Sequence, residues 1–70
     1  MLYIIVWGLF NVNTGVIQGP YIDLPPRQYT AIECGKALMD KGVQKPDKNG
    51  NVKLYECIVP GDRPTAQFTN

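Results

Sequence analysis

The stretch MLYIIVWGLF (residues 1–10) decides the fold. Three structures suit a run this apolar: a signal segment, part of a membrane span, or a buried strand. A signal segment needs a basic stretch before the apolar run and a small-x-small site soon after it, and neither is present. A membrane span needs about 20 apolar residues, twice this run. Tyr3, Ile4, Ile5, Val6, Trp7 and Phe10 are β-branched or aromatic, the types that fit a pleated surface. Residues 2–10 are therefore expected to be a strand, and the most apolar one in the chain.

The chain reads outward from that strand. NVNTG (11–15) supplies Asn and Gly where a hairpin loop needs positive φ. VIQGPYI (16–22) is the return strand, and Pro20 assigns it to a sheet edge because proline cannot donate to a ladder. DLPPRQY holds off any helix until the prolines have passed. Thr30 and Glu33 then form a capping box, which starts a helix over residues 31–41, and Gly42 supplies a left-handed cap. On a 100° wheel, Ala31, Ile32, Cys34, Gly35, Leu38 and Met39 share an apolar arc, and Glu33, Lys36, Ala37 and Asp40 share the other. Gly35, at the centre of the apolar arc, predicts close approach of helix to sheet. VQKPDKNGN (43–51) is a polar connection, and residues 52–59 are a third strand.

The order is β-β-α-β. A right-handed crossover from the second strand to the third skips over the first. The expected fold is α+β: a three-stranded antiparallel sheet in order 2-1-3 with one helix on one face. Residues 1–60 make a single domain, and 61–70 a flexible or loosely packed tail. A chain of 70 residues buries only about 60% of its unfolded surface, so it needs a supplement to its core.

Cys34 and Cys57 are candidates for that supplement, and three readings stand: a disulfide across the helix–sheet contact, a pair of reduced core thiols, or a redox switch. The first two both turn Cys57 toward the helix. Tyr55 and Val59 follow it inward, and Val52, Leu54, Glu56 and Ile58 line the opposite face. With Ile4 and Val6 from the first strand they form the candidate partner-binding face, because one short helix cannot cover both sides of an apolar sheet. The competing reading folds the tail, with Phe68, over the same face. The third strand is also an edge open to strand addition.

Chemistry finds little support. With no histidine, Ser-His and Cys-His nucleophiles are excluded. Two cysteines 23 positions apart make no zinc motif. The glycines form no phosphate loop. Glu33 and Glu56 are the only carboxylates near an apolar face, and Glu33 is occupied by its cap. No enzyme activity, metal or cofactor is expected. Seven Lys plus Arg against six Asp plus Glu give a net charge of +1, too little for a nucleic-acid stripe. Tyr3, Trp7, Tyr21, Tyr29 and Tyr55 could stack bases, but core or protein-interface roles suit so neutral a chain better. Neither nucleic acid nor membrane is an expected partner.

IECGKALM (32–39) followed by LYECIVP (54–60) resembles a pattern of small orphan proteins encoded by bacteriophages: an xECxxAxxxL-like helix, then a YxCxP-like last strand. Over residues 2–60 the layout is also similar to that of the T7 phage inhibitor of host RNA polymerase, with one helix on a three-stranded sheet. The resemblance implies a non-enzymatic protein that binds and inhibits or modulates a larger host protein of the transcription or defence machinery, in the cytoplasm of a bacterial host. It assigns no contact residue. Two alternatives are a structural homo-oligomer or virion-associated component, and a small exported module stapled by a disulfide.

Overall fold

Three strands and one helix form in the order β1 (Ile4–Asn11), β2 (Ile17–Ile22), α1 (Ala31–Lys41) and β3 (Asn51–Ile58). The structure is a computed structural model, and it describes residues 1–66 and Phe68. The sheet is antiparallel in the order β2-β1-β3, an α+β fold with the most apolar strand in the centre. The chain enters the sheet at Tyr3, which exchanges backbone hydrogen bonds with Tyr29 at 2.7 and 2.8 Å.

The β1–β2 hairpin is organised by one side chain. Asn11 Oδ1 accepts from the N–H groups of Asn13 and Thr14, at 2.9 and 3.0 Å. Its Nδ2 donates to Asn49 O and to Asn51 Oδ1, both at 3.0 Å, which ties this loop to the turn before β3. Short polar side chains of this kind mimic backbone partners and hold tight turns.

β2 departs from the expected alternation. Trp7 pairs with Tyr21 and Leu9 with Gln18, so β2 spends one residue more than β1 between the two pairs. A bulge of this kind reverses the parity of everything beyond it. Ile17 therefore faces Phe10, on the side that also carries Val6 and Ile22, while Tyr21 stays beside Trp7 on the other. Strict alternation along β2 would have put Ile17 on the side of Tyr21. Gly19, at φ 135°, lies inside the irregular segment.

α1 begins as the capping box requires. The Glu33 N–H donates to Thr30 Oγ1 at 3.2 Å, and the Thr30 N–H donates to Glu33 Oε1 at 3.0 Å. These bonds satisfy donors that a helix start otherwise leaves open. The end differs from expectation. Gly42 has φ 70° but ψ −171°, so it leaves the helix extended rather than in the left-handed helical region, and its N–H closes a tight turn on Met39 O at 3.0 Å.

The rotation of α1 is the larger correction. Cys34 is fully buried, and Ala37, Leu38 and Lys41 are half-buried beside it. These four follow the i, i+3, i+4, i+7 spacing of a docked stripe. Ile32, Gly35 and Met39 face outward, and a β-carbon built on Gly35 would meet nothing within 4 Å. The docked face is turned by roughly 100°, one residue's rotation, from the centre of the apolar arc. The disulfide accounts for this: Cys34, at the edge of that arc, is bonded to Cys57 and brings its own side of the helix onto β3.

Candidate functional site

The register sorts the sheet into two faces. One carries Ile5, Trp7, Leu9, Tyr21, Lys53, Tyr55 and Cys57, with α1 above the β3 end. The other carries Ile4, Val6, Gly8, Phe10, Ile22, Leu54, Glu56 and Ile58, with Pro64, Ala66 and Phe68 beside it.

Every residue expected to line the thiol-free face does point that way, but the face is partly occupied. Glu56 is held by Thr65: its carboxylate accepts the Thr65 N–H at 2.8 and 3.1 Å and the hydroxyl at 2.8 Å. Val6 is 4% exposed and Val52 9%, and neither has surface to offer a partner. Ile4 and Ile58 are half-buried, Leu54 is 42% exposed, and Ile22 on the same face is 55% exposed.

The ring of Phe68 sits in a notch made by two glycines. A β-carbon built on Gly8 would come 2.5 Å from Phe68 Cε1, and one built on Gly19 would come 3.0 Å from the same atom. Aromatic rings placed over strand glycines restore the packing that a missing side chain loses. The apolar void left between this segment and the sheet is about 30 Å³, room for one or two water molecules and for no cofactor. Gly8, in the middle of the central strand, was the available sequence signal, since a strand glycine often marks the close approach of another group. Gln67, Thr69 and Asn70 lie outside the described residues, so the expectation of a flexible tail is not addressed for them.

On the helix face, Tyr21, Trp7 and Tyr55 form one row across the three strands. Trp7 and Tyr21 have ring centroids 4.6 Å apart with planes tilted by 36°, a favourable arrangement for two quadrupoles. Lys53 Nζ lies 4.7 Å from the Trp7 ring, and Lys41 Nζ lies 4.5 Å from that of Tyr55. Lys41 also pairs with Asp23 at 2.9 Å. The hydrogen bond to Asp23 is the main cause that raises the Lys41 pKa above its ordinary value; partial burial opposes it, and the Asp23 charge adds to it. The row is a cross-strand cluster whose cations are already engaged with the protein's own rings and carboxylate.

The outward side of α1 was not foreseen as a surface. Ile32 is 74% exposed and Met39 79%, with only the hydrogen of Gly35 between them. Lys36 flanks this stripe, and Glu33 and Asp40 lie beyond it on the wheel. Charged groups therefore border an apolar strip, as at the rim of many protein interfaces.

Among the described residues, no helix is long and apolar enough to cross a membrane, and no group of three or more His, Cys, Asp or Glu is placed to hold a metal ion. Comparison with known proteins finds no matching family model, no matching curated protein and no matching solved structure.

Proposed function

We propose that this chain is a small protein-binding protein without catalytic chemistry of its own, which docks on a larger partner through the outward side of α1. One observation carries the reading: α1 is secured to β3 by its Cys34 side while Ile32 and Met39, large and apolar, stand in solvent on the other. Exposing them costs hydrophobic free energy that burial against a partner recovers, roughly 1.5–3 kcal/mol for each side chain fully covered. Gly35 between them lets a partner's surface come close to the helix backbone. The sequence resemblance suggests the partner's class, a host protein of the transcription or defence machinery met in a bacterial cytoplasm.

The test is affinity capture from bacterial lysate with the parent chain and with Ile32→Asp/Met39→Asp, followed by mass-spectrometric identification. The reading expects one dominant protein that the double variant fails to retain. It fails if both forms retain the same proteins or none. Light scattering on the isolated chain covers self-association: a stable dimer at micromolar concentration, dissolved by Ile32→Asp, assigns the stripe to a second copy instead.

A second reading draws on the bond between Cys34 and Cys57. Stable disulfides belong mainly to oxidising compartments, which favours a small exported module. Acid quenching of the producing cells, alkylation of free thiols and intact mass determine the redox state in place. Full alkylation of both cysteines excludes this reading.

A further inference from the structure

The two edges of the sheet are not equivalent. β2 is interrupted by its bulge, and Pro20 offers no N–H. Natural sheets blunt their edges by such means. β3 carries neither device along its eight residues.

Two hydrogen bonds fix which groups of β3 point outward. The Val12 N–H donates to Gly50 O at 2.8 Å, so position 50 faces β1. By alternation 52, 54, 56 and 58 face β1 as well, and 51, 53, 55 and 57 face away. Asn51 agrees from the other side: its carbonyl accepts the Asp47 N–H at 2.9 Å, and its N–H donates to Asp47 Oδ1 at 3.0 Å. Asp47 thus closes the first position of the outer edge. Beyond it, no hydrogen bond among the described residues uses the outward N–H or C=O of Lys53, Tyr55 or Cys57.

This edge lines an open groove of about 300 Å³. Residues 52–55 form one side, and Leu38, Gly42 and Gln44, from the end of α1 and just beyond it, form the other. A row of outward backbone donors and acceptors at a strand's spacing, beside apolar side chains, matches one kind of occupant, another extended backbone.

We infer that the β3 edge from Lys53 to Cys57 is a docking site for an extended peptide segment of another protein, which adds as a fourth strand. Its alternate side chains point to the two sides of the sheet, one set toward Leu38 and Tyr55, the other toward Leu54. A second copy of this chain does not fit the site by antiparallel pairing of its own β3. Antiparallel pairing of two β3 strands sets them about 4.8 Å apart with both helices on one face. α1 sits over β3, and packed helices need about 8–10 Å between axes. The site uses backbone groups of β3 and is independent of the Ile32–Met39 stripe.

The test pans the full, oxidised chain against a displayed library of random peptides about ten residues long, the upper end of ordinary strand length. Enriched peptides are synthesised, their affinities are measured, and amide exchange is followed residue by residue. The inference expects alternating apolar peptides that slow exchange at the Lys53, Tyr55 and Cys57 amides. Chains assembled by ligation at Cys34 with N-methyl-Lys53, which lack that outward donor but keep the β1 ladder, should bind at least about tenfold more weakly. Lys53→Ala should stay within about threefold of the parent, and circular dichroism checks that each variant folds. Ile32→Asp/Met39→Asp should bind these peptides as the parent does, so failure of the α1 reading leaves this result intact. The inference is overturned if no peptide is enriched, if N-methylation leaves affinity unchanged, or if protection appears on α1 instead of β3.

Discussion

Reducing the bond between Cys34 and Cys57 tests the energetic argument most directly. The bond joins residues 23 apart and closes a loop that contains the rest of α1 beyond Cys34, the polar connection and most of β3. In the chain-entropy picture, closing a loop of that length removes about 3.4 kcal/mol from the unfolded state. A 70-residue domain has a total stability of roughly 3.5–10 kcal/mol, so the bridge supplies between a third and nearly all of it. For a domain of this size each kcal/mol moves Tm by about 4–8 °C. Reduction should therefore lower Tm by roughly 14–27 °C.

The assay is thermal unfolding followed by circular dichroism, with and without a phosphine reductant, after mass spectrometry has verified a gain of two hydrogens. Cys34 is fully buried, so incubation must be long enough for local opening to admit the reductant. Cys34→Ala/Cys57→Ala separates the tether from the sulfur atoms. If loop closure dominates, reduced parent and double variant unfold within a few degrees of one another. If packing of the sulfurs dominates, the double variant is clearly the weaker, because it also leaves a cavity. A Tm that falls by less than about 5 °C on reduction refutes the reasoning, since α1 would then be held by something other than its bond to β3.

Three further predictions concern the helix cap and the glycine notch. Thr30→Ala removes the acceptor for the Glu33 N–H and should cost about 1 kcal/mol, read as a Tm loss of about 4–8 °C. The Glu33 carboxyl is held below its ordinary value, first by the bond from the Thr30 N–H, then by the Thr30 side chain and the Lys36 charge. A depressed carboxylate stabilises the fold above its unfolded value and loses that contribution as pH falls through the folded one. Parent and Glu33→Gln should thus differ most near neutral pH and converge on acidification, and a gap that widens toward acid contradicts the assignment. Gly8→Ala drives a methyl into the Phe68 ring, with Ile17 Cγ2 at 3.1 Å and Gln18 O at 3.3 Å beside it, and overpacking of this sort costs about 1–3 kcal/mol. In a Phe68→Ala background the penalty should shrink by about 1 kcal/mol, measured as a double-mutant cycle in urea, and strict additivity would mean that the ring is not in the notch.

Much of the fold was legible because local and global signals agreed. The density of β-branched and aromatic residues named β1, Pro20 put β2 at an edge, and Thr30 with Glu33 marked where α1 begins. The connection rule then ordered the strands. What was not legible depended on contacts between distant parts of the chain. The wheel of α1 has its apolar centre near Gly35, yet the docked side is chosen by a bond to a residue 23 positions away. Ile32 and Met39 therefore looked like core and lie in solvent. The parity of β2 changed because Gly19 and Pro20 admit an extra residue, and an alternation count cannot see a bulge. The apolar character of the thiol-free face was legible in the alternation along β1 and β3. Its cover was harder to see, since Phe68 finds its place only where Gly8 and Gly19 lie side by side in space.

The connection that orders the sheet also determines where a partner strand can add. The crossover takes the chain from β2 past β1 to β3, so the last strand is an edge, and α1 packs against it. A bond from α1 to β3 then places Leu38 and Gly42 beside that edge and leaves a groove in place of a flush cover. Had the bridge reached β1 instead, the helix would sit centrally and β3 would lie bare, a flat edge with no wall to confer selectivity. Moving the bonded cysteine is the perturbation that separates these cases. Cys57→Ala with Ile5→Cys keeps the thiol on the helix face, since Ile5 and Cys57 are cross-strand partners, but pulls α1 toward β1. If the groove is what selects a strand, that variant should fold, retain its free β3 amides and lose preference among peptides. If it binds the parent's peptides with the parent's selectivity, the wall contributes nothing, and recognition lies in the backbone of β3 alone.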